Sequence, residues 1–231
     1  MTHTLMLLAV LTALQDVAEV RQIVTFELVP GKTQETVELF REKAIPVYRA
    51  HAPMLRFRGY REAESPEPLD LVVVSTFKGM AGMDAFHEAV RESGASLGEL
   101  YGRIGALAAR HRDEFVEIDS ALSWGDADAA PMSVLVSIQL APGREADFEK
   151  LLGDEVIPWE KKLGAVQGSD TGRFLVANGW HIFRVLGITS LGDWHRYVSE
   201  RHRQVWWHRF SESVARSKQA VVVPLPELSV R

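Results

Sequence analysis

Val29-Pro30-Gly31-Lys32, followed at a distance by Ile45-Pro46, decides how this chain is read, because the pattern is written twice. It returns as Ala141-Pro142-Gly143-Arg144 followed by Ile157-Pro158. Both the Pro-Gly and the Ile-Pro pairs recur at an offset of 112 (143 − 31 and 158 − 46). A strand-like run precedes each copy. Val24, Phe26 and Leu28 alternate with Thr25 and Glu27, and Val134, Val136, Ile138 and Leu140 repeat the alternation. A helix-like run separates each Pro-Gly from its Ile-Pro, with apolar stripes at Val37, Phe40 and Ala44 and at Phe148, Leu152 and Val156. Pro46 disfavours helical geometry at Ile45 and is expected to close the first helix.

Working outward, Leu55 to Ala63 and Leu71 to Phe77 predict two strands. A helix starting at Asp84 is interrupted near Gly94 and resumes from Leu97 to about His111, and Phe115 to Ile118 predicts a short fourth strand. Trp124 to Pro131 has the composition of a linker. The second copy then predicts strands near Ala165 to Val176 and Trp180 to Leu186, one long helix from Gly192 to Lys218, and a closing strand at Val221-Val222-Val223. Later landmarks repeat too: Phe86-His87 matches Trp194-His195, and Arg103-Ile104 matches Arg209-Phe210. The expected fold is α+β: two tandem ferredoxin-like β-α-β-β-α-β units, residues 21–122 and 133–231, joined by a linker at 123–132. Helices covering one face of each sheet leave the other face apolar, so the two sheets are expected to pack against each other as an intramolecular α/β barrel.

The tandem pattern resembles the dimeric α/β-barrel superfamily. Within it, Pro30-Gly31-Lys32-Thr33-Gln34-Glu35 with Glu38-Leu39-Phe40, Ile45-Pro46 and Arg56-Phe57-Arg58-Gly59-Tyr60 is similar to NIPSNAP-like domains. The resemblance covers about residues 22 to 119 and, more loosely, 133 to 223. It implies two sheets forming a barrel, with pockets between sheet and helices. It implies little about reaction, because the superfamily includes cofactor-free oxygenases, isomerases, haem enzymes and plain binders.

Composition excludes several classes. The chain has 231 residues, 46% hydrophobic and 25% charged, with a net charge of −5, which gives no sign of a nucleic-acid binder. With no cysteine, thiolate nucleophiles, disulfides and cysteine-ligated metals are excluded. Residues 1–20 carry an apolar run, Leu5 to Leu11, without a basic residue ahead of it. Two readings stand, a signal peptide that would send the protein to an exported or periplasmic site, and an extra helix on a cytoplasmic protein. The run is too short to span a bilayer, so no transmembrane span is expected.

The copies differ most near the last helix. All six tryptophans lie from Trp124 onward. Treated as one helix, residues 191 to 210 place Trp194, His195, His202, Trp206 and Arg209 on one broad face. Two readings follow: an aromatic pocket for a small polar or acidic molecule, or a helix edge whose polar heads pair with backbone and carboxylates. Trp180, opening a strand after Asn178-Gly179, is a further lining candidate, and Tyr48 and His51 would line the matching pocket of the first copy. His195 and His202 are the candidate bases should an oxygenase or isomerase reaction occur. Their spacing of seven residues separates them by roughly 10 Å along a helix, which argues against a shared metal ion. No phosphate loop, nucleophile elbow or dinucleotide motif is present, and no cofactor is expected. The leading reading is small-molecule binding. The alternatives are cofactor-independent catalysis on an aromatic or acidic substrate, or a structural or interaction protein; a homo-oligomer is compatible with all three.

Overall fold

The computed structural model describes residues 18–51, 53–64, 71–94, 97–176 and 179–230. The expectation for residues 1–20 therefore falls mostly outside the described residues, although Glu19 and Val20 already belong to the first strand.

The first half runs β1 (Glu19–Leu28), α1 (Thr33–Leu39), α2 (Ile45–Ala50), β2 (Met54–Glu64), β3 (Leu71–Lys78), α3 (Gly79–Glu92), α4 (Leu97–Leu107) and β4 (Ala108–Ile118). A two-residue β5 (Trp124–Gly125) lies between the halves. The second half runs β6 (Met132–Leu140), α5 (Glu145–Leu151), α6 (Ile157–Leu163), β7 (Val166–Val176), β8 (Ile182–Ile188), α7 (Leu191–Arg201), α8 (Trp207–Ser213) and β9 (Val214–Val230). Within the halves the strands lie side by side in the orders β4-β1-β3-β2 and β9-β6-β8-β7. The half-sheets are not simply stacked. β2 pairs with β9 and β4 pairs with β7, so eight antiparallel strands close into one barrel without free edges.

Strand alternation sorts the apolar residues into three cores. Ile23, Tyr60, Val72, Val116, Leu135, Val185 and Val222 point inward and fill the barrel. The opposite faces pack under helices, with Phe26, Phe40, Phe57 and Phe86 in the first half and Val136, Phe148, Leu186 and Trp206 in the second.

Four expectations are corrected. Pro46 and Pro158 do not end their helices. A five-residue π segment, Phe40–Ala44 or Leu152–Val156, precedes each Ile-Pro, and the proline then opens the next α-helix, where its missing N–H is tolerated. The fourth strand begins at Ala108 because Leu28 of β1 already pairs there, so the helix expected to reach His111 stops at Leu107. Residues 123–132 are an ordered strap, with Trp124 and Gly125 pairing with Ser169 and Gly168 of β7. The long last helix is broken between Arg201 and Trp207, where the Gln204 side-chain amide donates to the Glu200 carbonyl at 3.1 Å beside the Arg203 backbone N–H, and β9 replaces helix from Val214. β9 then runs on through Pro224 and Pro226 to pair Val230 with Phe57 of the other half.

Candidate functional site

Two residues after each proline, the helix turns a side chain toward the sheet. In the first half this is Tyr48; in the second it is Glu160, again at an offset of 112 (160 − 48). Glu160 is fully enclosed and accepts two hydrogen bonds from the Arg184 guanidinium, at 2.9 and 2.8 Å. Tyr197 of α7 donates to the same carboxylate at 2.7 Å, and Arg184 also donates to Thr171 and Ser169. Burial opposes the Arg184 charge, but Glu160 beside it holds the guanidinium protonated above its usual range. Burial, reinforced by the Glu160 carboxylate, pushes the Tyr197 hydroxyl far up, so it stays a donor. A buried pair with its donors and acceptors this fully used is the arrangement under which a buried charge is tolerated. Tyr48 instead meets Phe57 and Phe86, ring to ring, and shares a hydroxyl contact with Tyr101 at 2.9 Å. The two positions at this offset carry a buried acid in the second half and an aromatic ring in the first.

Above Arg184 and Tyr197, between the sheet and helices α7 and α8, a cavity of about 300 Å³ opens. Two parallel ring pairs stand beside it: Trp194 on Tyr197 with centroids 5.2 Å apart, and Trp207 on Phe210 at 5.3 Å. The Arg201 guanidinium lies among these rings, 4.8 Å from Trp207, 5.9 Å from Tyr197 and 6.0 Å from Trp194. No carboxylate pairs with it among the described residues, and its Nε is buried without a hydrogen-bond partner. Burial lowers its pKa from the usual arginine value, opposed by Tyr197. A second lining guanidinium, Arg216, stacks over Trp180 at 4.3 Å. Among the described residues, no Asp or Glu lines the cavity.

The residues singled out in the sequence divide. Trp194 lines the cavity and Trp180 touches it through Arg216. Trp206 is buried beneath it, edge-on to Trp159, as core. His195 is exposed and outside the lining, and His202 caps the end of α7 with its ring 4.4 Å from Trp207, also exposed. Arg209 is exposed and paired with Glu155 at 2.6 Å. His181 accepts the Leu140 backbone N–H through Nδ1 at 3.0 Å, a strand-edge role. Treating residues 191 to 210 as one helix fails for Trp206 and Arg209, because the break re-aims everything beyond Arg201. The residues that reasoning missed are Arg201, Arg184 and Glu160. Arg184 had a signal: a charge in the middle of Ile182-Phe183-Arg184-Val185-Leu186, an otherwise apolar strand, requires a buried acid.

A larger cavity, about 850 Å³, lies at one end of the barrel, beneath the 123–132 strap. Its charges are used internally. Arg21 pairs with Glu19 and Asp170, each at 2.7 Å, and Arg56 and Arg58 both bind Asp128 of the strap. Size alone does not make it the better ligand site.

No family model matches the sequence, and neither does any curated protein. Solved structures do match the fold. An anthrone oxidase-like protein superposes with a TM-score of 0.67 at 12% identity, over 91% of this chain and 92% of its own. A proposed monooxygenase from Lactobacillus acidophilus gives 0.63 at 9% identity, over 92% and 96%. A variant chlorite dismutase from Candidatus Nitrospira defluvii gives 0.56 at 14% identity, over 91% and 93%. The fold is that of the dimeric α/β-barrel proteins. The second-half cavity does not fit haem. Its lining offers no His, Cys or Met as axial ligand, and the Tyr197 hydroxyl is committed to Glu160. Among the described residues, no three His, Asp or Glu side chains converge as a metal site. No described helix is long and apolar enough to cross a membrane.

Proposed function

We propose that this protein binds a small aromatic anion in the cavity between the second half-sheet and helices α7 and α8. One observation carries the reading: Arg201 stands in an aromatic cage with no carboxylate partner, in a cavity lined by arginines and by no acid. The Arg201 guanidinium is half-buried with its Nε enclosed and unpartnered, and a ligand carboxylate would supply the missing acceptor and counter-charge. The rings of Trp194 and Trp207 offer faces for a flat molecule, and the Glu160–Arg184–Tyr197 network fixes the floor beneath it. We further read the two halves as tandem ferredoxin-like units of NIPSNAP-like type; the equal strand orders and the offset of 112 support this.

The test is a tryptophan-fluorescence titration with 2-naphthoate. Saturable quenching is expected, and Arg201→Gln should weaken it by roughly ten-fold or more, the size of a lost charge-assisted hydrogen bond. No spectral change in the folded protein, or equal affinity in the variant, would remove the reading.

The second reading, cofactor-independent oxygenation or isomerisation of an aromatic substrate, draws on the oxidase and monooxygenase descriptions of the structural neighbours. It needs a base, and His195 and His202 lie outside the lining. Oxygen uptake with an anthrone that disappears in both His195→Ala and His202→Ala is what that version requires.

A further inference from the structure

The first half has its own cavity, about 210 Å³, in the place matching the one above, between β1–β3 and helices α3 and α4. Its chemistry is opposite. Phe26, Phe40 and Phe57 form the walls, and no Lys or Arg reaches it. The lining acid, Asp113, already accepts from Gln22 Nε2 at 3.0 Å and lies 3.6 Å from His111. An anion would find no Lys or Arg among the described residues here, only the imidazoles of His87 and His111, and a permanent cation would find a carboxylate already engaged.

What the cavity does hold is a pair of hydroxyls. Tyr48 and Tyr101 are 2.9 Å apart, oxygen to oxygen, so one donates to the other. Two phenols carry two protons, and a single bond between them uses one. The remaining proton is available to an acceptor at the cavity, where a ligand would compete with water because Tyr101 is 42% exposed. Burial pushes both hydroxyls up, so each keeps its proton at neutral pH.

We infer that the first half is a second, separate ligand site, for an uncharged aromatic molecule bearing one hydrogen-bond acceptor, such as an aryl ketone. The juxtaposition that carries it is an aromatic cavity without cations in which a phenol pair has a proton to spare. The duplication would then have produced one protein with two pockets of different selectivity: cationic in the second half, neutral in the first.

Gly105 makes this testable. It lines the cavity from α4, and a Cβ added there meets no atom within 4 Å. Gly105 is exposed, so Gly105→Leu adds its side chain at the mouth of the cavity, where it obstructs entry, and favours the helix. Calorimetric titrations of 1-tetralone and 2-naphthoate into wild type, Gly105→Leu and Arg201→Gln separate the two sites. Gly105→Leu should weaken tetralone at least ten-fold and leave naphthoate unchanged, which also reports that the variant is folded. Arg201→Gln should do the reverse, and Tyr101→Phe, which keeps the cavity but removes a proton, should weaken tetralone several-fold. In wild type, saturating naphthoate should not displace tetralone. Competition between the two ligands, tetralone binding untouched by Gly105→Leu, or no tetralone binding to folded wild type would each overturn the proposal. Loss of naphthoate binding alone would remove the second-half reading and leave this one standing.

Discussion

One pair of residues concentrates the difference between the two copies. Tyr48 and Glu160 occupy the same place after the same Ile-Pro, yet one meets aromatic rings and the other a guanidinium. Arg184 is 3% exposed and Glu160 0%, so neither can fall back on water if its partner is removed. Glu160→Ala is therefore expected to destabilise the protein by about 3–5 kcal/mol, the range for stranding a buried charge, measured by urea unfolding. An unchanged midpoint would mean that the pair is not buried in solution. Tyr197 would also lose its acceptor, loosening the floor beneath Arg201 and Trp194. This network was only half legible in the sequence. The lone arginine of β8 announced a partner, but nothing short of the fold could pair residue 184 with residue 160, in a different element.

At the scale of elements, the strands were legible and the ends of the helices were not. Alternation and the Pro-Gly turns placed the strands, because a half-buried strand must alternate whatever its surroundings. Pro46 and Pro158 were misleading, since a π segment absorbs each of them and carries the helix on to Tyr48 and Glu160. The break after Arg201 has no Gly or Pro to mark it, and the Gln204 side chain adds a donor to the Glu200 carbonyl that the Arg203 backbone N–H already reaches. β9 is the other unannounced element. Its Pro-containing end reads as a tail, yet it hydrogen-bonds with β2 and puts Leu228, 0% exposed, into the first-half core. Leu228→Ala should cost about 2–5 kcal/mol, the range for large-to-small changes in a packed core. The change belongs to the first half, so amide exchange should quicken on β2 and β3 more than on β7. Uniform exchange, or no loss of stability, would contradict the role given to this strand.

At the scale of the whole molecule, closing the barrel removes both sheet edges and fills the interior with side chains, which leaves space at the barrel end beneath the strap and on the outer faces under the helices. Each half carries one such place under its helices, and the linings of the two differ in chemistry. The cationic one holds the lone guanidinium, and so carries the central claim that an aromatic anion binds beside Arg201. The most direct measurement is a crystal structure of the protein grown with 2-naphthoate. The carboxylate should lie within hydrogen-bonding distance of the Arg201 guanidinium, with the naphthyl ring between Trp194 and Trp207. Naphthoate seated instead at the barrel end among Arg21, Arg56 and Arg58, or an empty second-half cavity at saturating ligand, would contradict it.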